Sequence, residues 1–88
     1  MKPACKKVWD HYEEGRITRT GFVIDFLNAA DPEDLREALE VLPPDLLEVL
    51  RDFVANYRPD MLIFRGRPPK PAAVEMAREV LANAEQSP

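Results

Sequence analysis

The prolines of this chain stand where helices can begin or must end, and that placement constrains the fold more than any other feature of the sequence. Proline lacks an amide hydrogen and clashes with the preceding turn inside a helix, yet its fixed φ suits the first helical position. Pro3, Pro32, Pro44 and Pro71 each open a stretch whose apolar residues recur with helical spacing, while Gly15 closes one with a left-handed cap. The pattern predicts helices over residues 3–14, 18–29, 32–42, 44–57 and 71–84, with a loop over 58–70. The 88 residues are therefore expected to form a single small all-α domain. Its architecture would be an irregular or orthogonal bundle of about five short helices, with an extended, proline-rich connection before the last.

Periodicity also assigns the inner faces. Cys5, Val8, Trp9 and Tyr12 make one narrow apolar stripe on the first helix. The second, with Thr18 as its N-cap, carries Phe22, Val23, Phe26, Leu27 and Ala30 over a wide arc that Ile24 extends. Asp31-Pro32-Glu33-Asp34 starts the third helix with a capping aspartate, a proline and two carboxylates at the positive end of the dipole. Its stripe of Leu35, Ala38, Leu39 and Leu42 is narrow and predicts a peripheral position. Leu46, Leu47, Leu50, Phe53, Val54 and Tyr57 give the fourth helix a broad face, so the second and fourth are expected to form the middle of the core. Val74, Ala77, Val80, Leu81 and Ala84 would be the inner face of the fifth.

A net charge of -4 argues against a dedicated binder of nucleic acid or anionic membranes, which usually carries a basic excess. No apolar run reaches the roughly 18 residues needed to span a bilayer. Lys2, Lys6 and Lys7 are followed by Trp9, Asp10, His11, Glu13 and Glu14, where a signal peptide would require an apolar segment. Cys5 has no second cysteine with which to pair, and the cytoplasm is the expected location.

Candidate chemistry is sparse. Cys5 is expected to be half-buried and His11 to project toward solvent; six positions apart, they lie about 120° around the helix from each other and cannot share a metal. Asp31, Glu33 and Asp34 are accounted for by capping, and Glu33 with Arg36, Arg36 with Glu40, and Glu48 with Arg51 by helix-surface pairing. With no motif of nucleophile, base, metal or cofactor, neither an enzyme nor a bound cofactor is expected.

The run Met61-Leu62-Ile63-Phe64 is too short for periodicity to assign and is read as extended. Packed over its own helices, the expected arrangement, it would leave a monomer; as an exposed edge it would support a homodimer or a partner. Aromatic and methionine side chains dominate binding hot spots, so Trp9, Tyr12, Tyr57, Met61, Leu62, Ile63 and Phe64 are the candidate protein-binding residues. The expected function is a non-enzymatic protein-interaction or regulatory module for a protein partner that the sequence leaves unidentified.

Three short strings resemble known motifs. Gly15-Arg16-Ile17-Thr18 with Phe22, preceded by Trp9 and Tyr12, resembles the hinge of bacterial short C-terminal domains, which implies a helical hairpin at the N-terminal end. Arg65-Gly66-Arg67-Pro68 resembles the core of AT-hook peptides, which implies an extended segment in the narrow minor groove of A·T-rich DNA. An accessory DNA-binding protein using Arg65, Gly66, Arg67 and Lys70 is accordingly the alternative function. Arg65, Pro68 and Pro71 also resemble a ligand of proline-binding Src-homology-type domains, although Pro71 is needed to open the fifth helix.

Overall fold

The first reversal of the chain turns on Gly15, whose φ of +75° lies in the left-handed region that favours glycine. Its amide donates to the Tyr12 carbonyl at 3.0 Å, and that of Arg16 to the His11 carbonyl at 2.9 Å. This Schellman pattern ends helix α1, Pro3–Glu13. The computed structural model describes residues 1–58 and 69–86, with four further helices: α2 Arg19–Ala29, α3 Pro32–Val41, α4 Pro44–Asn56 and α5 Pro71–Gln86. The architecture is an all-α bundle, and no strand occurs among the described residues. Met61 to Phe64, Arg65, Gly66 and Arg67 lie outside them.

Local chemistry accounts for the helix starts. Thr18 Oγ1 accepts from the Gly21 amide at 3.1 Å, one of the amides that has no partner inside α2. At α3 the Asp34 carboxylate reaches back to accept from the Asp31 amide at 3.0 Å, the reciprocal arm of a capping box, and Pro32 holds the first helical position. Pro43 and Pro44 then stop α3 and open α4, with only Leu42 and Pro43 between the two helices.

The core is built where the wide apolar faces meet. Phe22, Val23, Phe26 and Leu27 of α2 and Leu46, Leu50 and Val54 of α4 are each at most 3% exposed, and α2 packs against α1, α4 and α5. The narrow stripe of α3 goes with a peripheral place: that helix packs chiefly on α5, whereas α2 packs against three helices, yet the stripe itself is sealed. Leu35 and Ala38 are fully buried, Leu42 is buried, and α3 packs on α5, whose Val74 and Ala77 are also fully buried. A small residue such as Ala38 lets two helices approach closely, so a narrow stripe can be a deep one. Ala84 corrects the reading of α5: it is exposed, and Leu81 is the last buried residue of that stripe. Cys5 is fully buried, not half-buried, because α1 packs it into the core cluster while Val8, Trp9 and Tyr12 pack against that cluster part-exposed.

Polar ties join elements distant in sequence. The Lys2 amide donates to Asp34 Oδ1 at 3.1 Å and the Lys2 ammonium lies 3.2 Å from Asp31, which fastens the start of α1 to the start of α3. Arg78 of α5 donates to the carbonyls of Val54 at 3.3 Å and Tyr57 at 3.0 Å, so a cation satisfies acceptors left open at the C-terminus of α4. No helix among the described residues is long and apolar enough to cross a membrane.

Candidate functional site

Two rows of residues with helical spacing face each other across the α1–α2 hairpin. Ala4, Lys7, Val8 and His11 occupy positions i, i+3, i+4 and i+7 of one helix face, and Gly21, Ile24, Asp25 and Asn28 do the same on the other. They line a groove of about 720 Å³, with Ile17 at the end where the chain reverses and Lys70 at the opposite end. The Lys70 amide donates to Asn28 Oδ1 at 2.8 Å, which attaches the approach to α5 to the tail of α2. Ile24 is the buried floor, Val8 and Ile17 are half-buried, and the short side chains of Ala4 and Gly21 leave the groove its depth. A Cβ on Gly21 would meet Thr18 Oγ1 at 3.4 Å and Ile17 Cβ at 3.6 Å, ordinary contacts, so packing does not demand the glycine.

The electrostatics of the groove oppose those of the chain. Among the described residues, two exposed lysines, Lys7 and Lys70, and the half-buried His11 share it with one carboxylate, Asp25, although acidic residues outnumber basic ones 16 to 12 overall. His11 thus does not simply project into solvent. It stands one turn beyond Lys7 and Val8 and is drawn into the wall by the packing of α1 on α2.

Trp9 and Tyr12 are brought together by Phe22. The indole meets Phe22 edge-on with ring centroids 5.8 Å apart, the Tyr12 ring is tilted against it at 5.4 Å, and Phe22 stacks on Phe26 at 5.5 Å. The indole N–H donates to the Glu13 carboxylate. Both α1 rings are half-buried, and Trp9 also borders a smaller depression of about 320 Å³ beside Lys6, Asp10 and Val41, the last 56% exposed. Tyr57 lies at the end of α4, half-buried and 6.1 Å from the Phe53 ring, and belongs to neither depression. Of the alternative DNA-contact residues, Lys70 is described, exposed and part of the groove.

The perturbed titrations lie elsewhere. Burial, and then the nearby Asp34 carboxylate, push the Cys5 thiol up, which makes it a poor nucleophile. The Asp31 amide is the main cause that holds Asp34 below the usual carboxylate range, helped by the Lys2 amide and ammonium against its partial desolvation. Arg19 is raised by its hydrogen bond with Tyr12 and by Asp45, whose carboxylate lies 3.2 Å away. Among the described residues no group of three or more His, Cys, Asp or Glu side chains is arranged to hold a metal ion.

The groove escapes a search for apolar stripes because its rows mix apolar, cationic and small residues. Its signal in the sequence is a second row on α1, Ala4 to His11, beside the hydrophobic one. Neither protein-family models, nor curated proteins, nor solved structures gave a match to this chain.

Proposed function

We propose that this protein is a non-enzymatic protein-interaction module that presents the α1–α2 groove to a segment of a partner. One observation carries the reading: matched rows from two helices line an elongated depression whose apolar groups, Val8 and Ile17, are half-exposed above a buried Ile24. Pockets for small molecules usually enclose most of their ligand, whereas an open groove bordered by seven-residue spans of two helices, about 10 Å, suits a helix laid along it. The groups with shifted pKa values are explained by burial, capping and ion pairing and stand outside the groove, which supports binding over catalysis. We place the protein in the cytoplasm, where a lone buried thiol stays reduced, and take it to be a monomer that offers the groove to a different chain.

The test is affinity capture with mass spectrometry, run in parallel on the wild type and on Ala4→Trp. Ala4 is exposed at the groove wall, so the larger ring obstructs the groove while leaving the core intact. A partner recovered by the wild type and lost with Ala4→Trp at unchanged melting temperature is the expected result. Equal recovery by both proteins would remove the groove from the interaction.

A further inference from the structure

We infer that the occupant of the α1–α2 groove is an acidic amphipathic helix, with apolar residues directed at Val8, Ile17 and Ile24 and carboxylates directed at Lys7 and Lys70. The inference rests on the reading of the groove as a docking surface and adds the chemistry of the partner. Charge complementarity selects it. On a chain of net charge -4, the groove's charged lining among the described residues is two lysines, Lys7 and Lys70, against Asp25, so an acidic segment meets local attraction there.

Geometry selects the helix. The rows Ala4–Lys7–Val8–His11 and Gly21–Ile24–Asp25–Asn28 repeat at helical spacing, and a third helix laid between them meets them with its own i, i+3, i+4, i+7 face. Lys7 lies on the α1 wall and Lys70 at the end of the groove beyond the tail of α2, so the two cations come from different elements. Both ammonium groups are on exposed residues, and neither has a carboxylate within ion-pair distance among the described residues. The apolar floor supplies affinity, and the lysines supply orientation and discrimination.

The test uses the full chain and two labelled helical peptides that share one leucine face at i, i+3, i+4 and i+7. One carries glutamates at the flanking positions, and the other carries lysines there. Fluorescence anisotropy at low salt should show the glutamate peptide binding about tenfold more tightly than its lysine twin, with the preference shrinking as salt is added. Amide resonances of Ala4, Val8, Gly21 and Asp25 should shift on titration. Lys7→Glu combined with Lys70→Glu should reverse the preference without moving the melting temperature, since both residues are exposed.

Equal affinity for the two peptides, with shifts still confined to those amides, would overturn the acidic partner while leaving the interaction reading in place. Shifts elsewhere, or no binding of either peptide, would overturn the inference at the level of the groove. Self-association of the wild type that is lost in the double lysine variant would make a second copy the occupant and overturn it as well. So would binding that is gained only when Ile63→Asp and Phe64→Asp are introduced, because the occupant would then be the chain itself.

Discussion

At the scale of single residues, Asp34 shows how one side chain serves two elements. Its carboxylate closes the capping box of α3 through the Asp31 amide and also accepts from the Lys2 amide at the start of α1. These bonds favour the ionised form, so the pKa in the folded protein lies below its ordinary value of 3.8. A depressed carboxylate contributes stability that is fully present above its unfolded pKa and is lost as pH falls through the folded one. The melting temperature of the wild type should therefore fall more steeply than that of Asp34→Asn as pH is lowered from about 5 to about 2. Parallel curves for the two proteins would show that Asp34 is not linked to folding. Cys5, fully buried beneath the same junction, remains a protonated packing group at neutral pH.

At the scale of elements, hydrophobic width separates the central α2 and α4 from α3, which packs chiefly on α5. α3 has one narrow stripe, yet Leu35 and Ala38 are sealed against the rest of the bundle, and Leu42 closes the stripe where the prolines begin. Leu35→Ala should then cost about 2–5 kcal/mol in chemical denaturation, in the same range as Leu50→Ala in the broad face of α4. A cost below about 1 kcal/mol for Leu35 alone would show that the narrow stripe is not sealed. α4 depends on a neighbour for its ending, since Arg78 of α5 donates to the carbonyls of Val54 and Tyr57. The contact places a cation at the negative end of a helix dipole and binds the last helix to the one before it in the chain.

For the whole molecule, charge decides among partners. A radius of gyration of 12.3 Å agrees with the roughly 12 Å of a compact chain of this length, so the net charge of -4 acts over a small body and opposes approach to DNA. Duplexes rich in A·T should therefore bind no more tightly than about 10 μM at physiological salt, without preference over G·C duplexes of equal length. A salt-sensitive, A·T-selective affinity below about 1 μM, abolished by Arg65→Ala with Arg67→Ala, would favour the accessory DNA-binding function instead. The acidic character that discourages DNA contrasts with the groove, where, among the described residues, Lys7 and Lys70 outnumber Asp25.

The sequence by itself determined the helices, because their signals are local: Gly15 supplies a backbone conformation that other residues resist, Thr18 and Asp31 stand before unpartnered amides, and Pro32, Pro44 and Pro71 admit a helix only at its start. It also named the broad faces of α2 and α4, since burying many large apolar groups leaves a helix few orientations. Only the tertiary structure decided how deep a narrow stripe lies, and it sealed Leu35 while exposing Ala84. It alone joined Arg78 to the end of α4 and Lys70 to Asn28, contacts between residues far apart in the chain. The groove belongs to the same class. Ala4, Lys7, Val8 and His11 form an unremarkable mixed row until α2 is laid beside them, because a concave surface is a property of two packed elements and is carried by neither alone.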